Sequence, residues 1–178
     1  ALMQRRDIFD LSKEPSADHE RYGIHDFGKN CLLARRLLQS GVTCVKVTHF
    51  DWDAHQDNFY WHQVRCAEFD RTFVTLLDDL EQLGLLEHTL VVVTGEMGRT
   101  PQINNLGGRD HWGRAWSMAM AGCGLKPGVV YGATNDTGTK RRKFGSTRAN
   151  SRALTTPPRL TSMIRVGSRR SRSTRGVI

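Results

Sequence analysis

Residues 90–94, LVVVT, form an unbroken run of apolar and β-branched residues. A strand with one wet face alternates apolar and polar residues, so a continuous run predicts a strand covered on both faces. Strands of that kind occur mainly in parallel sheets with helices packed above and below. The run empties into Gly95-Glu96-Met97-Gly98-Arg99-Thr100-Pro101. A buried strand therefore delivers an acid, two glycines and an arginine to one edge of the sheet.

The chain around this run repeats the same grammar. Residues 27–40 place Cys31, Leu32, Ala34 and Leu38 on one helical stripe, with Gly41 where a left-handed cap would sit. Residues 42–48 then read as a strand, apolar at Val42, Val45 and Val47. Residues 59–83 carry Phe69, Phe73, Leu76, Leu77, Leu80 and Leu83 at spacings of three and four, a long amphipathic helix ended by Gly84. Asp57 or Asn58 is placed to cap it, and Asp78, Asp79 and Glu81 read as its solvated face. A short polar surface helix is expected within 10–23, a strand within 115–121 and a last short strand at 129–132. One α/β domain over 1–139 follows, since the chain is too short for two comfortable ones.

Three loops carry chemistry. Asp51, Asp53 and His55 stand at alternate positions after a strand, and extended residues i and i+2 point to the same side. Their side chains are expected to converge, and a cation between them would relieve the crowding of charge. Mixed oxygen and nitrogen donors suit zinc or manganese better than calcium. The alternative is ordinary loop residues that make turns and caps. Glu96 can ligate a metal, and Arg99 offers a planar fork for a phosphate or sulfate oxygen pair, against a Gly-flanked turn with a surface ion pair. In the third loop, Gly107-Gly108-Arg109-Asp110-His111-Trp112, an Asp and a His beside a Trp need partners. A metal would supply one; a structural histidine with an ordinary partner is the alternative.

The motifs WDAHQDNF, TLVVVTGEMGRTP and GRDHW, with LARRLLQSGV before and VYGAT after, closely resemble the family labelled domain of unknown function 1501. Its members look like relatives of sulfatases and alkaline phosphatases. The resemblance covers residues 9–138. It implies part of an alkaline-phosphatase-like α/β/α sandwich with a mostly parallel sheet and one or two divalent ions (zinc, manganese or calcium) at the C-terminal edge. Carried over by position, Asp53, His55, Glu96 and His111 look like ligands, Asp51 like an extra one, and Arg99 and Asp110 like anion-binding or supporting groups. Met97 stands where a two-zinc site of that superfamily has a histidine, so one ligand is missing from that pattern. The implied activity is hydrolysis of phosphate or sulfate esters, small or polymeric. The nucleophile of such enzymes normally follows an earlier strand that this chain does not show, so the chain reads as a C-terminal-half fragment, inactive by itself. Full-length relatives look exported, whereas residues 1–15 lack both the apolar core of a signal peptide and an initiating Met.

Charge divides the chain. Residues 140–178 contain 12 Lys and Arg and no acid, which leaves 14 basic against 18 acidic residues before them. That Arg/Ser-rich tail has no sustained apolar period and is expected to be disordered or translated out of frame. Nucleic-acid binding through the tail is another reading, with little base stacking because Phe144 is its only aromatic. A non-catalytic binding module or degenerate remnant is a further alternative to the hydrolase. Four scattered cysteines show no metal-binding spacing, and Cys31 and Cys44 are expected as buried free thiols. No apolar run reaches the ~18 residues of a membrane span.

Overall fold

The computed structural model describes residues 6–142 and the backbone of 162–169. It is a mixed α/β fold. Helices α1 (Ser16–Tyr22), α2 (Asp26–Gln39) and α3 (Asn58–Gln82) accompany strands β1 (Cys44–Phe50), β2 (Thr89–Thr94), β3 (Gly98–Arg99), β4 (His111–Trp112), β5 (Met118–Ala121) and β6 (Ser162–Arg169). The main sheet has the order β1-β6-β2-β5, with β6 parallel to both β1 and β2 and β5 antiparallel to β2. A two-stranded ribbon, β3 with β4, stands apart from it. No helix among the described residues is long and apolar enough to cross a membrane.

The helix ends follow from glycine. Gly41 has φ of +89°, Gly41 N–H donates to Leu38 and Val42 N–H to Leu37, which closes the last turn of α2. Gly84, at φ +65°, closes α3 in the same way, with Leu85 N–H donating to the Leu80 carbonyl. The stripe of α2 then meets one face of β1. Phe27, Cys31, Leu32, Ala34 and Leu38 pack with Val45 and Val47, with Leu76 and Leu80 of α3, and with Val91 of β2. Along β1, Val45, Val47 and His49 are buried while Cys44, Lys46 and Phe50 are exposed. Among the described residues this strand is thus half buried, with α2 packed against one side of it.

Several expectations are corrected. Asp79 does not belong to a solvated face: it is 4% exposed and its carboxylate accepts from Arg35 at 2.7 Å, Arg21 at 2.5 Å and the Tyr22 hydroxyl at 2.9 Å. Burial raises its pKa, but hydrogen bonds from Arg21, Arg35 and Tyr22 outweigh that and hold the carboxyl below the usual range. Arg35 extends the network to Asp18 and Glu14, so charged groups from α1, α2 and α3 lock the three helices together. Cys31 is buried but Cys44 is exposed, on the outer face of β1; both are free. Residues 129–132 form no strand, and Val130 is 91% exposed. Within the tail, where no element was expected, 162–169 form β6 between β1 and β2, because its backbone completes the hydrogen bonding of two parallel neighbours. The rest of the tail, 143–161 and 170–178, lies outside the described residues.

Candidate metal centre

The centre is assembled by a turn that docks on a loop. Residues 104–108 fold on themselves: the Asn104 side-chain oxygen accepts from the N–H groups of Leu106 and Gly108, and Gly107 N–H donates to the Asn104 carbonyl. This turn binds the segment after β1 through its backbone. Asp57 N–H donates to the Leu106 carbonyl, Asn58 N–H to Gly107, and Arg109 N–H to Ala54. The approach is so close that a Cβ on Gly108 would lie 1.9 Å from the His55 carbonyl carbon and oxygen. Immediately beyond, β4 pairs with β3 in a register that sets Arg99 opposite His111. Gly98 is needed there too, since a Cβ would meet the Ala115 carbonyl oxygen at 1.9 Å.

Docking brings three donor atoms to one point. His111 Nε2 lies 2.9 Å and His55 Nε2 3.0 Å from Asp53 Oδ1, and the two imidazole nitrogens are 3.2 Å apart. Among the described residues, Asp53, His55 and His111 are the group of His, Cys, Asp and Glu side chains close enough to share an ion. A tetrahedral ion with bonds of about 2.0–2.1 Å needs ligand atoms about 3.3–3.4 Å apart. The observed triangle is slightly tighter, so a small outward movement turns it into one face of such a tetrahedron.

Electrostatics support the same focus. Arg99 Nη1 also reaches Asp53 Oδ1, at 2.5 Å. Burial raises the Asp53 pKa, but the hydrogen bonds from His111 and Arg99 prevail and lower it to about 2. Behind His55, Asp110 Oδ1 faces Nδ1 at 3.0 Å and also accepts from the Asn104 amide at 3.2 Å. The His55 contact, then that from Asn104, lowers the Asp110 carboxyl below its ordinary value. With an ion on Nε2 the proton of His55 would sit on Nδ1, where Asp110 is placed to accept it.

The protein family described as Protein of unknown function (DUF1501) matches residues 2–153 of the chain. The chain belongs to the DUF1501 family. No curated protein and no solved structure matches it. The family match runs to residue 153, beyond Gly138 where the resemblance was read to end, so the first part of the basic tail falls within the family.

Two of the ligands expected for this DUF1501 chain do not join the group. Glu96 is exposed, in a bend between β2 and β3, and is not among the converging donors. Asp51 has φ of +67°, which breaks the extended alternation that would have aimed it with Asp53. It turns to Arg65 instead, with 3.7 Å between Asp51 Oδ2 and Nη2, beside the Glu68–His49 pair. Asp53, His55, His111 and, behind them, Asp110 and Arg99 are brought together. The expected cap from Asp57 is not made by its side chain; the residue is in the left-handed region and α3 starts from backbone bonds to the docked turn. Asn104 escaped the reading of the sequence, although Asn-Asn-Leu-Gly-Gly is a turn signal whose side chain regularly binds its own backbone. Its amide additionally donates to the His55 carbonyl at 2.9 Å, which makes it the joint between loop and turn.

Proposed function

We propose that this chain carries the zinc-binding part of a metal-dependent hydrolase of phosphate or sulfate esters, related to the sulfatase-like and alkaline-phosphatase-like enzymes. The observation that carries the reading is the meeting of His55 Nε2, His111 Nε2 and Asp53 Oδ1 within 3.2 Å of one another, with Asp110 behind His55. Two imidazoles and one carboxylate match the three-ligand donor set of catalytic rather than structural zinc sites, and calcium would call for more oxygens. Manganese is the second choice for the same donors.

Each residue has a task in that reading. Asp53, ionised down to strongly acidic pH, supplies negative charge; His55 and His111 supply neutral nitrogen. Asp110 orients His55, and Asn104 holds Asp110. An ion bound there polarises an ester oxygen and lowers the pKa of bound water.

Metal content after exhaustive dialysis against zinc buffer tests the centre. The expected result is one zinc per chain in the wild type and none in His55→Ala or His111→Ala, with zinc-dependent binding of p-nitrophenyl phosphate or sulfate and little or no turnover by this chain alone. Absence of stoichiometric zinc in the wild type removes the metal reading. Zinc uptake without any binding of the phosphate or sulfate ester removes the hydrolase reading and favours a binding module of another kind.

A further inference from the structure

Among the described residues, three buried side-chain nitrogens have no hydrogen-bond partner: Arg35 Nε, His49 Nδ1 and Arg65 Nε. Arg35 belongs to the network that joins the helices. His49 and Arg65 line one cleft of about 250 Å³, enclosed by the N-terminus of α2, the end of β1 and α3. Buried polar atoms seldom go unpaired, because each has given up the water it would otherwise bind. Two of them at one cleft point to a guest that pairs with both.

The two atoms need opposite partners. His49 is 5% exposed, its ring is stacked on Phe27, and its Nε2 lies 3.0 Å from Glu68 Oε2. Burial lowers the His49 pKa and outweighs the pull of Glu68, so the ring is neutral. Burial raises the Glu68 pKa, but His49 and Arg65 prevail and keep that carboxyl ionised. Beside it Nε2 carries the proton, and Nδ1 is a lone pair in need of a donor. Arg65 spends Nη1 on Glu68 at 2.7 Å, and its Nε–H needs an acceptor.

Charge selects the guest. Asp26, Asp51 and Glu68 stand against Arg65 in the lining, a formal charge of −2 with the histidines counted neutral. The N-terminus of α2 adds about +0.5, which leaves the cleft negative and unsuited to an anion. Asp51 is held loosely, with 3.7 Å to Arg65, and the Phe50 ring, 48% exposed, offers its face to a cation. The volume is below the ~300–1,000 Å³ of drug-sized sites, so the guest is small.

We propose that this cleft binds a small primary amino alcohol, whose ammonium group donates to His49 Nδ1 and Asp51 beside the Phe50 ring and whose hydroxyl oxygen accepts from Arg65 Nε. Phe50, the least buried ring of the lining, swings aside to admit the guest to the two buried atoms. The site uses none of Asp53, His55 and His111, so it stands or falls apart from the zinc reading.

NMR titration of the isotope-labelled full chain with four matched probes tests it: ethanolamine, ethylamine, ethylene glycol and choline, each with and without zinc. Ethanolamine is expected to shift the amide signals of 48–51 and 65–68 saturably, alike in both conditions. Its affinity should exceed that of ethylene glycol, which lacks the charge, by about tenfold or more. It should exceed several-fold that of ethylamine, which lacks the acceptor, and that of choline, which lacks N–H donors. Asp51→Asn, in which asparagine tolerates the left-handed backbone of that position, is expected to weaken ethanolamine binding several-fold. If that variant fails to fold by circular dichroism, Arg65→Met decides: it should lose the preference for ethanolamine over ethylamine. No saturable shift, shifts seen only with zinc, or ethylene glycol, ethylamine or choline binding as tightly as ethanolamine overturns the proposal, as does an unaltered affinity in Asp51→Asn or an unaltered preference in Arg65→Met.

Discussion

Asp110 Oδ1 lies 3.0 Å from His55 Nδ1, while His55 Nε2 faces Asp53 and His111. When Nε2 gives its lone pair to an ion, the proton stays on Nδ1, and Asp110 stands where it accepts that proton. Such outer partners typically contribute 10–100-fold to metal affinity. Asp110→Ala is therefore expected to weaken zinc binding by about that factor with the fold intact, as Asp110 is exposed. Competition against a chromogenic chelator measures it; affinity equal to wild type would show that His55 is oriented by something else.

Gly108 sets how closely the turn approaches the loop. With a Cβ 1.9 Å from the His55 carbonyl, Gly108→Ala must push 104–108 away from 54–58. Forced overpacking of this kind costs about 1–3 kcal/mol. Urea unfolding should report that loss, and zinc affinity should fall with it because His55 and His111 are on opposite sides of the contact. Unaltered zinc affinity in a destabilised variant would separate the contact from the centre.

Asp79 anchors Arg21, Arg35 and Tyr22 in the interior. Removing one partner of a buried charged network leaves the others uncompensated, at about 3–5 kcal/mol. Asp79→Ala is expected to lower the urea midpoint accordingly, with no effect on zinc binding in the protein that remains folded. A change below about 1 kcal/mol would mean that Asp18 and Glu14 suffice to hold Arg35.

Acid stability follows from the lowered carboxyls. The Asp53 pKa is about 2 in the folded chain against about 3.9 for a free Asp. A depressed folded value means the stabilisation is present above the unfolded pKa and disappears as pH falls through the folded one. Metal-free wild type should lose stability between about pH 4 and pH 2, and Asp53→Asn should show a shallower slope across that window. Equal slopes in denaturant titrations at several pH values would contradict the contacts of Asp53 with Arg99 and His111.

The helical part of the fold was legible in the sequence because its causes are local. Apolar residues three and four apart define the inner stripe of α2 and α3, and Gly41 and Gly84 end them by the left-handed geometry that glycine tolerates. The burial of Asp79 was not legible. Beside Asp78 and Glu81 it looked like part of a wet face, but its partners Arg35 and Arg21 stand 44 and 58 residues away. Asp51 misled for a local reason, since one left-handed residue reverses the direction that strict alternation assigns.

By itself the sequence determined the donor types and their neighbourhoods: Asp53 and His55 two residues apart after a strand, Asp110 and His111 adjacent after paired glycines. Backbone geometry fixes such relations over a few residues, so they can be read along the chain. Only the tertiary structure decided that His55 meets His111, 56 residues on, that Glu96 and Asp51 stay apart from them, and that Arg99 shares the oxygen of Asp53. Those outcomes depend on one turn pressing against one loop at a distance that a single Cβ would abolish, and no periodicity in the chain encodes a contact of that range.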